Sequence, residues 1–369
     1  MTADAVVVGG GIVGCACAYY LSLELERVLL VEPGPIGGGT TATGMGHVVV
    51  MDDSPAQFAL THYSQSLWDG LAGEMPRSAE RELAGTLWVA VDDEEMAHVH
   101  QKATLYSSNG VEVEVIDGAE VARLEPSLKP GLAGALRVPG DSIVFPMPAA
   151  GWMWDRAKEK GAGRRVGRAM SISPGAVRLD NGETLESPLI VNATGDHAPE
   201  LTPGLPIEPR KGHLAITDRY PGYVGHQLVE LGYLKSAHTM ETESVAFNVQ
   251  PRATGQLLIG SSRQFVGWQP GVEPRVLSKM LARAMQFMPG LGRLHVTRTW
   301  TGFRAATPDK LPLIGPWGPQ PGVWIAAGHE GLGITTSTGT GQILADIVLG
   351  RTPAIDPAPY DPNRRINAH

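Results

Sequence analysis

At 369 residues, 43% of them hydrophobic and 18% charged, the chain holds enough apolar material for one large core or two moderate ones, which counts against disorder. Its 30 Lys and Arg against 38 Asp and Glu give a formal net charge of -8 with no polybasic run, which counts against a nucleic-acid partner. No apolar stretch approaches the roughly 18 to 20 residues that span a bilayer, and no basic signal region precedes the first apolar segment, so a cytoplasmic location is expected.

Ala5-Val6-Val7-Val8 reads as a fully apolar strand and Gly9-Gly10-Gly11-Ile12-Val13-Gly14 as a glycine turn. A small-residue helix over 15–21 and a second apolar strand, Val28-Leu29-Leu30-Val31, complete a right-handed βαβ unit. Cys15 and Cys17, the two cysteines, diverge on that helix, so neither a disulfide nor an iron–sulfur cluster can be built from them, and no metal site is expected. Glu32 ends the second strand, and the turn-rich run 33–39 follows, as at the carboxyl edge of a parallel sheet where ligands bind. Over 82–138 the pattern changes to strands such as 87–91 and a polar helix over 94–108, which suits a second, mixed sheet. Leu189-Ile190-Val191 returns to the first style and ends in Asn192-Ala193-Thr194-Gly195. Within 205–301, segments 245–249 and 256–259 read as antiparallel strands joined by Gly/Pro turns. The strand 323–327, a helix from about 335 to 349 and a Pro-rich tail after Arg351, expected to be an extended arm, close the chain. Residues 1–80, 141–204 and 302–369 are thus expected to form a cofactor domain, and 81–140 with 205–301 a substrate domain.

The glycine spacing has a physical reading. Gly9 permits the tight turn off the strand, Gly11 lets main chain approach a pyrophosphate, and Gly14 lets the helix pack closely on the sheet. The N–H groups that open the helix at Ile12 and Val13 face the anion. Glu32 is placed to accept from an adenosine ribose, which favours FAD or NAD over NADP. A glycine-rich turn without a ligand is the alternative.

Further segments resemble the D-amino-acid-oxidase and glycine-oxidase family of flavoproteins almost end to end. They are the small-residue loop Gly38-Gly39-Thr40-Thr41-Ala42-Thr43-Gly44-Met45-Gly46, the strand end Ile190-Val191-Asn192-Ala193-Thr194-Gly195, the stretch Trp300-Thr301-Gly302-Phe303-Arg304-Ala305-Ala306-Thr307-Pro308-Asp309, and the loop Ala327-Gly328-His329-Glu330-Gly331-Leu332-Gly333 with Ile334. The resemblance implies an α/β fold. A Rossmann-type, glutathione-reductase-like FAD-binding domain would be interleaved with an α+β substrate domain that contains a mixed antiparallel sheet. It implies non-covalent FAD, held by Gly9, Gly11, Ile12, Val13, Gly14, Glu32, Thr40, Thr41, Thr43, Gly44, Met45, Gly46, Thr194, Gly195 and the 328–334 loop. The helix after Gly333 would aim its positive end at the flavin pyrimidine, where reduced flavin is anionic.

The family's arginine falls on Arg304, which would fork onto a substrate carboxylate; a salt bridge to Asp309 or another acid that fixes the loop is the structural alternative. His329 would contact the ring or a substrate amine, or else cap the following helix. His47 follows the small-residue loop, near where some relatives attach FAD covalently, but the motif around it differs from theirs, so a substrate-facing place or one just behind the site is expected ahead of a covalent link. Tyr233 would close over the substrate, or pack in a strand. Sarcosine oxidases of the family carry an oxygen-promoting lysine where this chain has Leu258. The stretches 46–54 and 328–335 resemble the FAD subunits of D-hydroxyproline dehydrogenase, hydrogen cyanide synthase and opine oxidase, which implies hetero-oligomeric partners that carry electrons onward. The expected reaction is hydride transfer from an amino acid's C–N bond to flavin, with hydroxy-D-proline the leading substrate. A stand-alone glycine, sarcosine or D-amino-acid oxidase, or a non-catalytic FAD-bearing assembly subunit, are the alternatives.

Overall fold

Four apolar residues in a row, without alternation, suit a strand covered on both faces. In the computed structural model, which describes residues 2–232 and 243–366, Ala5–Val8 (β1) is buried throughout and lies inside a six-stranded sheet. Its neighbours are Val28–Val31 (β2) and Ile190–Asn192, both parallel to it. The sheet continues to Gly163–Arg165 beyond β2, and to Val323–Ala327 and the antiparallel edge strand Leu313–Pro316 on the other side. The glycine turn leads from β1 into the helix Ile12–Ser22 (α1).

The alternation of β1 side chains defines three layers. Ala5 and Val7 join a core with α1 and the helices Pro55–Leu71, Pro146–Glu159 and Gly333–Val348. Val6 and Val8 face the opposite way, onto an antiparallel three-stranded sheet formed by Ala169–Ser173, Ala176–Leu179 and Thr184–Glu186. Small residues set the helix spacing: a Cβ on Gly341 would stand 2.7 Å from the Tyr20 ring and 2.9 Å from Ala16 main chain. Both cysteine thiols are buried on α1, and desolvation pushes Cys17 up to about 12 and Cys15 higher still, so neither is a reactive thiolate.

By contacts, residues 1–79, 144–209 and 303–369 form one compact unit, and 80–143 with 210–302 a second. The second is built on an eight-stranded sheet whose order is Val296–Ala306, Glu208–Thr217, Leu257–Gln264, Glu243–Pro251, Gln227–Glu230, Thr86–Ala90, Gly134–Val138 and Glu114–Asp117. Parallel pairing of Gln227–Glu230 with Thr86–Ala90 joins two stretches that lie far apart in sequence. Leu87, Val89, Leu228, Phe247, Val249 and Ile259 pack one face against the helix Pro274–Phe287, where Phe247 and Phe287 stack with ring centres 4.5 Å apart.

The Pro-rich tail is extended but docked rather than a free arm. Tyr360 is buried and its hydroxyl donates to the Ala56 carbonyl at 2.6 Å. Among the described residues, no helix is long and apolar enough to cross a membrane, and no group of three or more His, Cys, Asp or Glu is placed to hold a metal.

Candidate functional site

The glycine turn is packed hard on one side and open on the other. Gly9 has φ +107°, and a Cβ there would stand 2.6 Å from the Ala193 carbonyl oxygen. A Cβ on Gly14 would overlap the Gly9 carbonyl, and one on Gly10 would come within 2.7 Å of Glu32 Cγ. Gly11 differs: its Cβ would meet only Thr41 Oγ1, at 3.4 Å. Gly11 is also the N-cap of α1, with no side-chain cap and no acid in the first turn, so this helix end presents a positive field that no carboxylate cancels. The Ile12 amide donates to Thr41 Oγ1 at 3.0 Å. Glu32, half-buried at the end of β2, accepts from the Gly10 amide at 2.7 Å and the Gly34 amide at 2.8 Å. A carboxylate offers about four acceptor positions, so Glu32 can brace the turn and still receive two ribose hydroxyls. Gly10 and Arg164, whose guanidinium donates to the Gly34 carbonyl, escape a G-x-G-x-x-G reading; the legible signal for Gly10 was its place against an acid at the end of β2.

The small-residue loop runs from this helix end to another. Thr41 meets α1, while Gly44 lies where a Cβ would come within 3.1 Å of Ile334 Cδ1, at the start of Gly333–Val348. That second helix has Leu332 as its N-cap, again with no side-chain cap and no acid in its first turn. Thr43 Oγ1 donates to the Thr40 carbonyl at 2.9 Å, Met45 is buried, and Gly46 has φ +107° against Val144 main chain. Thr40 Oγ1 sits 3.0 Å from the Phe303 carbonyl and 3.2 Å from Asp196 Oδ1. Thr194 turns its hydroxyl back onto Asn192 Oδ1 at 2.7 Å, and Gly195, at φ +65°, leaves open space where a Cβ would be. The Thr194 amide also donates to Asn192 Oδ1, at 3.3 Å, and its carbonyl accepts from the His197 amide at 3.2 Å, so both its side chain and its main chain are engaged within the turn.

Arg304 is half-buried beside the 328–333 loop. The Glu330 amide donates to the Ala305 carbonyl at 2.8 Å, and a Cβ on Gly331 would stand 3.4 Å from Arg304 Nε. Asp309 belongs to another arginine: Arg364 from the tail grips it with Nε–Oδ2 at 2.8 Å and Nη2–Oδ1 at 2.9 Å.

His329 does not cap the helix, whose N-cap is Leu332. Its ring is buried and its Nε2 lies 2.9 Å from Thr340 Oγ1 inside the helix layer, where desolvation pushes it down to about 3 and holds it neutral. A ring so placed is no proton shuttle; the loop's main chain remains at the helix end. His47 is half-buried, and its carbonyl accepts from Thr335 Oγ1 at 2.9 Å, which ties the small-residue loop to the last helix a second time. Tyr233 lies outside the described residues.

Two helix N-termini without a carboxylate, connected by a small-residue segment that includes the short helix Thr40–Thr43, with an acid at the second strand, suit a long dinucleotide with an anionic centre, and so suit FAD. Hydrogen cyanide synthase subunit HcnC of Pseudomonas aeruginosa is similar to this chain, 27% identical over 97% of the chain and 95% of the relative. Glycine oxidase of Pseudomonas putida is 26% identical over 99% and 100%. The crystal structure of glycine oxidase from Geobacillus kaustophilus superposes with a TM-score of 0.88 at 25% identity, covering 99% of this chain and 100% of that one. L-proline dehydrogenase from P. horikoshii shares the fold at a TM-score of 0.88 and 24% identity, with 98% and 97% covered. Matched over residues 4–347 by the family described as DAO, FAD dependent oxidoreductase, the chain belongs to that family.

Proposed function

We propose that this FAD-dependent oxidoreductase oxidises the C–N bond of a cyclic or secondary D-amino acid, hydroxy-D-proline foremost, to the imine. The first unit takes the cofactor and carries Arg304. The observation that carries the reading is Arg304, half-buried on a strand bonded to the 328–333 loop, with Gly331 beside its guanidinium. A guanidinium fork there matches a carboxylate bidentately, and so would fix an amino acid by the group every amino acid shares. The relatives named for glycine, D-amino acids and proline support an amino-acid donor.

When bound, FAD supplies the hydride acceptor, so the chain needs no strong acid or nucleophile of its own. Its residues bind and orient. Arg304 anchors the carboxylate, the open ends of α1 and Gly333–Val348 meet negative charge, and Glu32 receives the ribose. FAD is held without a covalent bond, and the chain works beside partner subunits that pass the electrons on. Likeness to the hydrogen cyanide synthase subunit supports that last point.

The test is anaerobic mixing of the FAD-loaded protein with cis-4-hydroxy-D-proline, D-proline, glycine and sarcosine. Flavin bleaching by the cyclic D-amino acids is expected, with slow peroxide formation in air. No bleaching by either proline compound overturns the substrate. Rapid peroxide formation from the isolated chain favours the second reading, a stand-alone oxidase, which the several glycine oxidases among the relatives support.

A further inference from the structure

Asp196 is a buried acid that the proposed reaction does not use. Asp196 follows Gly195 in the turn after Ile190–Asn192 and is 7% exposed. Its Oδ1 lies 3.2 Å from Thr40 Oγ1, which lies 3.0 Å from the Phe303 carbonyl. A carbonyl only accepts, an ionised carboxylate only accepts, and a hydroxyl has one proton to give. With Asp196 ionised, one of Thr40's two contacts lacks a proton. With Asp196 protonated both are made in series, from carboxyl to hydroxyl to carbonyl.

We propose that Asp196 is a positioning residue that keeps a proton and donates it to Thr40, so that retention of FAD is coupled to that proton. The proposal rests on the reading of the α1 end as the pyrophosphate site. Thr41, next along the loop, meets the Ile12 amide at that end. Negative charge held there disfavours a second negative charge on Asp196. The chain Asp196–Thr40–Phe303 also ties the small-residue loop to the strand that carries Arg304.

The surroundings agree. His197 and Glu200 flank the acid on its own turn and following helix, with His197 Nδ1 2.8 Å from Glu200 Oε1. The strand Val323–Ala327 packed against the turn brings only apolar side chains, the small-residue loop brings Thr40 and Thr41, and Phe303 offers its carbonyl with Arg304 next in the chain. Burial raises Asp196 above its ordinary 3.8, outweighing the lowering by His197 and by the Thr40 contact. The sign follows: the folded chain holds the proton more tightly than the unfolded one, so this acid's contribution is fully present below 3.8 and is lost as pH rises through the raised value.

The experiment titrates FAD release by free-flavin fluorescence from about pH 5 to about pH 9, a range that brackets the ordinary histidine value, in wild type, Asp196→Asn, Asp196→Ala and His197→Gln. The wild-type dissociation constant should rise with pH, approaching about tenfold per unit for one coupled proton. Asp196→Asn, which keeps a donor and cannot ionise, should hold the low-pH affinity with no slope. Asp196→Ala should bind more weakly at every pH, also without slope, and His197→Gln should keep the wild-type slope. A flat wild-type profile, an undiminished slope in Asp196→Asn, or loss of the slope in His197→Gln overturns the proposal. FAD affinity that a bulky residue at Gly11 leaves unchanged would instead overturn the pyrophosphate reading, so the two failures are distinguishable.

Discussion

At the scale of single residues, the decisive pairings were between arginines and acids. Arg304 and Asp309 lie five apart, close enough on paper to bond, yet Asp309 is gripped by Arg364 from the far end of the chain. No spacing rule could reveal a partner 55 residues away. Replacing Arg304 with Ala should raise KM by the equivalent of roughly 3 to 5 kcal/mol, the cost of breaking a desolvated charged pair. Arg304→Lys should recover little, because an ammonium has no planar fork. Steady-state kinetics on the best substrate will read this, and an unchanged KM would make Arg304 a strut of its strand. His329 teaches the complementary lesson. Its place in a glycine loop was legible, but whether its ring faced outward or inward depended on Thr340, eleven residues on.

At the scale of elements, the glycine turn was the most legible feature, because its demands are local. The structure divides its glycines by what a methyl group would strike. Gly14→Ala puts a Cβ into the Gly9 carbonyl, with main chain on both sides of the clash, and should destabilise by about 3 kcal/mol or more, the upper end of overpacking. Gly11→Ala meets only a 3.4 Å contact with Thr41 and should cost less than about 1 kcal/mol, as cap substitutions of glycine do, while the purified protein loses flavin. Denaturant midpoints beside the flavin-to-protein absorbance ratio separate the two; a yellow Gly11→Ala protein would refute the close-approach argument. Other elements were hidden by proline. Pro55–Leu71, Pro146–Glu159 and Pro274–Phe287 each begin with a residue that reads as a breaker, but at the first helical position its missing N–H costs nothing. The buried face of the last, Val276, Met280, Ala284 and Phe287, has helical spacing and could have been found by period alone.

At the scale of the whole molecule, the C-terminal tail is bound to segments distant from it in sequence. Deleting the tail after Arg351 exposes what Tyr360 covers, removes its bond to Ala56 and strips Asp309 of Arg364. A loss of roughly 2 to 3 kcal/mol in unfolding free energy is expected from the buried ring alone. A denaturant midpoint that does not move would make the docking incidental. The strand Ala5–Val8, the glycine turn and the strand Val323–Ala327 were set by the sequence itself, since each depends on residues a few positions apart, and Glu32 was legible because it ends the next strand of the same βαβ unit. The tertiary structure alone decided that 86–90 pairs with 227–230, that Arg364 holds Asp309, and that Thr40 stands between Asp196 and the strand of Arg304. Those are contacts across tens to hundreds of residues, and they exist only once burial has brought separate segments together and left each polar group to find a partner.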